Sequence, residues 1–99
     1  MIVRLWRASV VEAHRKDFER IEEERLAPLL EQQAGFGGVL FLRQNEELTV
    51  MTLWDSRESA EKFNDSDAAV ELTREVRERG YLICEPRVEV FEIHAGSFR

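Results

Sequence analysis

Residues 48–63 read LTVMTLWDSRESAEKF. The first seven are β-branched, apolar or threonine side chains, which suit a pleated, half-buried strand. Trp54 ends the run. Asp55 and Ser56 follow at once, and either can cap a helix, with Glu58 three positions after Asp55. The pattern predicts a strand over 47–54 that turns directly into a short helix, with Trp54 and Phe63 on either side of the corner.

The elements upstream pair with this strand. AGFGGVLFLR at 34–43 gives a strand over 38–43, with Asn45 and Glu46 as a tight turn into 47–54. Gly35 suits the C′ position of a preceding helix. In that helix Val11, His14, Phe18, Ile21, Leu26, Leu29 and Leu30 recur at helical spacing as one apolar stripe. Glu12, Lys16, Arg20, Glu23 and Glu24 take the other face, so the acidic run reads as solvated, and Glu12 and Lys16 form an i,i+4 pair. Ser9 and Glu12 have capping-box spacing at its start. Pro28 is expected to kink the helix or to begin a new turn. Residues 2–8, IVRLWRA, read as the first strand.

Downstream, NDSD at 64–67 interrupts the short helix and caps a longer one that runs to about Arg79 and stops at Gly80. Pro86 precedes a last strand, RVEVFEI, at 87–93. The order β-α-β-β-α-β is two split βαβ units. It predicts one α+β domain over 1–99, with its core at about 2–94: a ferredoxin-like sandwich with a four-stranded antiparallel sheet and helices on one face.

The strands are apolar on both faces. Leu48, Val50, Thr52 and Trp54 oppose Thr49, Met51 and Leu53; Ile2 and Trp6 oppose Val3 and Leu5; Val39 and Phe41 oppose Leu40 and Leu42. A half-solvated antiparallel sheet alternates cleanly. Two helices cover one face, so the other is expected to pack on a second copy as a two-fold homodimer.

Composition bounds the partners. A net charge of −6 with no basic stripe argues against nucleic acid and anionic membranes. No stretch reaches the ~20 apolar residues of a membrane span. MIVRLWR lacks the apolar core of a secretion signal. Cys84 is the sole cysteine, so no internal disulfide forms, and a cytoplasmic location is the expectation. His14, His94 and Cys84 lack metal-ligand spacing, and no bound metal is expected. Gly35, Gly37 and Gly38 follow a helix and precede a strand, the reverse of a phosphate loop.

The chain resembles the antibiotic biosynthesis monooxygenase family of dimeric α/β barrels. The resemblance rests on GFGG at 35–38, LTVMTLWDSRESAEKF at 48–63 and PRVEVFEI at 86–93, and spans nearly the whole chain. Ala34 stands where such chains often carry a proline before the Gly-Phe pair. The resemblance implies a homodimer with a pocket between sheet and helices in each subunit. It also implies activities ranging from metal- and flavin-free oxidation of aromatic polyketides to haem degradation and isomerisation. Haem-degrading relatives use an asparagine, a tryptophan and a histidine where this chain has Trp6, Phe63 and Thr73, which argues against haem degradation by that arrangement.

His14, on the apolar stripe, is a candidate general base against an ordinary half-buried histidine. His94, after the last strand, is a weaker one. Arg4 shares a strand face with Trp6. A buried guanidinium needs a partner, which is Glu92, Asp65 or the anion of a ligand. Trp6, Phe63 and Phe41 are candidates to stack on a planar substrate, and Tyr81 to reach over the pocket with its hydroxyl. Trp54 and Phe18 read as core. Cys84 reads as a small buried hydrophobe.

The expectation is a monooxygenase-like enzyme acting without a cofactor on a small apolar or aromatic metabolite. The substrate, as an enolate or phenolate, would supply the electrons. A non-catalytic small-molecule-binding homodimer and a small-metabolite isomerase are the alternatives.

Overall fold

The computed structural model describes residues 1–98. Four strands, β1 (Ile2–Ser9), β2 (Phe36–Gln44), β3 (Glu47–Trp54) and β4 (Arg87–Glu92), form one antiparallel sheet in the order β2-β3-β1-β4. This is the ferredoxin-like order, and the predicted α+β class holds. β3 has the predicted bounds. Across it, Ile2 faces Trp54 and Trp6 faces Val50 on β1, while Val39 faces Thr52 on β2. Asn45 takes the left-handed conformation, φ 57°, in the two-residue turn between β2 and β3.

Leu48, Val50, Thr52 and Trp54 are all buried against the helices. Trp54, 1% exposed, donates from Nε1 to Thr52 Oγ1 at 2.9 Å. It lies between Phe36 and Phe63, each with its ring centroid 5.6 Å away. Ser56 caps α3 (Arg57–Asn64) by accepting from Ser59 N–H, and Ser66 caps α4 (Asp67–Glu78) by accepting from Ala69 N–H. Gly80, φ 72°, follows α4 as predicted.

The first helical run departs from expectation at both ends. Ser9 is still strand, its carbonyl accepting from Ile83 N–H, so the Ser9–Glu12 capping box does not form. Val10 then bridges Leu82, and a 3-10 turn at Glu12–His14 leads into α1 (Arg15–Ile21). Glu12 pairs with Arg15 at 3.3 Å, not with Lys16. A π-helical turn at Glu22–Leu26 separates α1 from α2 (Ala27–Glu31), and Pro28 sits in the first turn of α2. The wide turn suits Pro28, which has no N–H to give Glu24 and would crowd its carbonyl in a regular helix. Gly35 is not the residue that ends α2, which closes at Gln32. Instead Gly35 takes φ 82° beside the Asp55–Ser59 hydrogen bond, and its carbonyl accepts from Asp55 N–H at 2.8 Å. It therefore ties the start of β2 to the corner after β3.

Among the described residues no helix lies over the other sheet face. Leu40, Leu42 and Phe91 are exposed there, and Met51 and Leu53 are half-buried. An Arg7–Glu89 ion pair at 3.0 Å crosses the same face.

Candidate functional site

The sheet and the helical layer do not close completely. Between them lies a cavity of about 90 Å³. That is several-fold more than the ~10–15 Å³ one water needs. Arg4, Trp6 and Thr52 form its sheet side, and Phe18 and Glu22 reach it from the first helical run. Phe63 and Asn64 come from α3, and Thr73 and Val76 from α4. The corner between β3 and α3 thus has two functions. Trp54 fills the core, and Phe63, stacked on it, presents its other side to the cavity.

Arg4 is the cationic side chain of this lining. β1 places it on the helix-facing side of the sheet, opposite Thr52. Its Nη2 donates to Asn64 Oδ1 at 2.9 Å. Neither Glu92 nor Asp65 pairs with it, and among the described residues no ion pair involves Arg4. Burial draws its pKa below the ordinary guanidinium value, yet a guanidinium stays charged at any physiological pH.

Glu22 is the site residue that the reading of a solvated acidic face missed. It is only 4% exposed, and among the described residues its buried Oε2 has no hydrogen-bond partner. Burial, then the negative charges of Glu19 and Glu23, push its pKa up to about 8. A buried carboxyl without a cationic partner holds its proton to a higher pH than an exposed one. The signal was in the spacing. Phe18, Glu22, Leu26 and Leu30 stand four residues apart, and Phe18 and Leu30 are buried. In a regular α-helix each such step drifts by about 40°. The wider π turn at Glu22–Leu26 reduces that drift and keeps Glu22 in line with the apolar stripe.

Trp6 and Phe18 stack with centroids 6.0 Å apart, and both line the cavity. Thr73 lines it too, with its hydroxyl donating to Ala69 O at 3.0 Å. Trp6, Phe63 and Thr73, the three positions compared with haem-degrading relatives, therefore meet at one site. The lining contains no histidine, cysteine, methionine or tyrosine that would ligate a haem iron.

The remaining candidates lie elsewhere. His14 stands at the N-cap position of α1, its side chain making no capping hydrogen bond among the described residues, and stacks on Tyr81, centroids 5.0 Å apart, outside the cavity lining. Tyr81 is buried with Val10, Phe18, Leu48 and Val76, and its hydroxyl accepts from Arg79 at 3.3 Å. Phe41 faces the helices but borders an outer groove with Glu19, Glu23 and Arg43. His94 is exposed beyond β4. Cys84 is exposed rather than buried, on the segment before β4. Among the described residues no cluster of three or more His, Cys, Asp or Glu side chains is placed to hold a metal ion. No helix there is long and apolar enough to cross a membrane.

The family model described as antibiotic biosynthesis monooxygenase matches residues 1–80. The chain belongs to this family. Rv0793 from Mycobacterium tuberculosis has the same fold at 14% identity and a TM-score of 0.82, covering 98% of each chain. SnoaB from Streptomyces nogalater, a cofactor-independent oxygenase, is 15% identical with a TM-score of 0.78, covering 96% of this chain and 94% of its own. A conserved protein from Methanosarcina mazei is 17% identical with a TM-score of 0.78, covering 92% of this chain and 91% of its own. No curated protein matches the sequence.

Proposed function

We propose that the protein is a cofactor-independent, monooxygenase-like enzyme acting on a small apolar or aromatic metabolite. The observation that carries this reading is the cavity between sheet and helices. It is apolar and aromatic, with one guanidinium, Arg4, held by a neutral amide rather than a carboxylate. A cation in such a pocket is complementary to an anionic oxygen on a largely apolar body. An electron-rich phenolate or enolate can itself supply electrons to oxygen, so the protein's part is to bind it, desolvate it and stabilise its charge. The fold shared with SnoaB and the family membership support the assignment.

His14 was the sequence's candidate base. Stacked on Tyr81 outside the cavity, it has no supporting geometry in this reading. Arg4 keeps the role of anion acceptor, and Trp6 and Phe63 that of apolar walls. The exposed Leu40, Leu42 and Phe91 support a homodimer through the open sheet face.

The experiment is oxygen consumption with a panel of small hydroquinones, hydroxyquinones and phenols. Turnover that needs oxygen and no added cofactor supports the reading. Turnover of an enolisable substrate without oxygen favours a small-metabolite isomerase, since a cation and a protonated carboxyl in one cavity also serve proton relocation. Binding of panel members without turnover favours a non-catalytic binder.

A further inference from the structure

Glu22 borders two spaces. On one side it lines the inner cavity with Arg4, Trp6 and Phe63; on the other it borders an outer groove lined by Glu19, Glu23, Phe41 and Arg43. Glu22 therefore belongs to the walls of both the inner cavity and a solvent-facing acidic groove. From its own helix Glu19 and Glu23 face it, and β2 brings Arg43 to the same groove. Arg43 does not neutralise Glu22, because it is engaged by Glu19 at 3.0 and 3.1 Å, as is Arg15 at 3.6 Å. On the cavity side, Arg4 is the charged group β1 supplies, and α4 supplies only the neutral Ala69, Leu72, Thr73 and Val76. A residue only 4% exposed, with one carboxyl oxygen that has no hydrogen-bond partner among the described residues, thus lines a cavity that has a cation in its sheet side.

We propose that Glu22 is the proton-accepting residue of this cavity, and that its ligand is a small, mostly apolar weak acid, a phenol or an enol, whose anion Arg4 receives. The inference rests on the reading of the cavity as a substrate site and names its base. The step is a proton transfer alone. The ligand O–H bond breaks, its electron pair stays on the ligand oxygen beside Arg4, and the proton goes to the Glu22 carboxylate. Nothing is oxidised or reduced in it. Glu22 then releases the proton through the acidic groove, where Glu23 is exposed to solvent. The raised pKa of Glu22 suits the task, because a base that titrates near the operating pH both accepts and returns a proton readily.

The test uses para-nitrophenol, a phenol that ionises near neutral pH and absorbs differently as its anion. Binding to the full chain is measured by calorimetry in buffers of different ionisation enthalpy, at a pH about one unit above the Glu22 midpoint, where both partners start as anions. The wild type should take up close to one proton per bound nitrophenolate, and Glu22→Gln, similar in size and uncharged, should take up none. Glu23→Gln removes a neighbouring negative charge and should move the pH of half-maximal uptake downward without changing the number of protons. A merely structural role for Glu22 does not produce that shift. Equal uptake in wild type and Glu22→Gln overturns the assignment of Glu22 while leaving the cavity as a phenol site. Failure of the wild type to bind the phenol overturns both. Proton uptake with no oxygen consumption by any substrate leaves Glu22 in place and overturns only the oxygenase reading.

Discussion

Arg4 reaches from the first strand to Asn64, the last residue of α3, and donates to its side-chain carbonyl at 2.9 Å. The pairing satisfies one donor of a five-donor fork and none of its charge. A half-buried guanidinium with only an amide for company is set to accept an anion. Replacing it with methionine keeps the apolar stem and removes the fork. Arg4→Met should weaken nitrophenolate binding by about 10- to 100-fold, the scale of a hydrogen bond to a charged group at ~1.5–3 kcal/mol. Titration calorimetry checks it, and the variant should remain folded.

Stability should depend on pH through Glu22. Its folded pKa of about 8 lies above the unfolded value. Between roughly 4.3 and that folded value the folded chain holds a proton that the unfolded chain has released. Stability from this group therefore falls as pH rises through that window and levels off above it. The total is a few kcal/mol, since each tenfold difference in proton affinity between the two states is worth about 1.4 kcal/mol. Glu22→Gln should flatten the decline, as read by urea unfolding at acid, neutral and mildly alkaline pH. Asp55 acts in the opposite sense. Its hydrogen bond from Ser59 lowers its pKa, so that contribution is present above the usual carboxylate range and is lost as pH falls through the lower folded value.

The open sheet face should bring two copies together. Leu40 and Phe91 are 53% and 47% exposed on it. Wild type is expected to sediment as a dimer, and a Leu40→Glu, Phe91→Glu double variant as a monomer, since charges facing each other across a desolvated contact are costly. A wild-type chain that stays single at micromolar concentration contradicts the dimer.

The corner at residues 54–56 should be intolerant at Gly35. A methyl group there would collide with the Asp55 carboxylate and the Ser59 hydroxyl, on a backbone already in the left-handed region. Gly35→Ala should cost at least about 1 kcal/mol. Gly80→Ala carries only the backbone cost, because none of the described residues lies within 4 Å of the added atom. Comparing the two melting curves separates the clash from the conformational cost.

Much of this fold was legible because its signals were local and repeated. β3 is an unbroken run of apolar and β-branched residues that ends at a tryptophan followed by two capping residues, so its bounds could be read directly and the cap narrowed to Asp55 or Ser56, of which Ser56 takes the position. Ser9 and Glu12 misled because a capping box states only what the side chains can do. Ser9 remained in the sheet, where Ile83, far along the chain, claims its carbonyl. His14 belonged to the apolar stripe, but the Val10–Leu82 bridge brings Tyr81 beside it and takes it out of the cavity's reach. Glu22 was hidden in a run of three glutamates. Its four-residue phase with Phe18 and Leu26 was visible, whereas the π turn that keeps that phase facing inward was not. Arg4 could be placed on the correct face, but its partner is set by where α3 ends.

The chemistry proposed for this cavity depends on a carboxyl in its wall that titrates well above the ordinary glutamate range. Carbon-13 NMR of the Glu22 side-chain carboxyl, titrated in the ligand-free protein, tests this without assuming any substrate. The expected midpoint is about 8, moving down when Glu23 is neutralised. A midpoint in the ordinary glutamate range near 4.3 would contradict it.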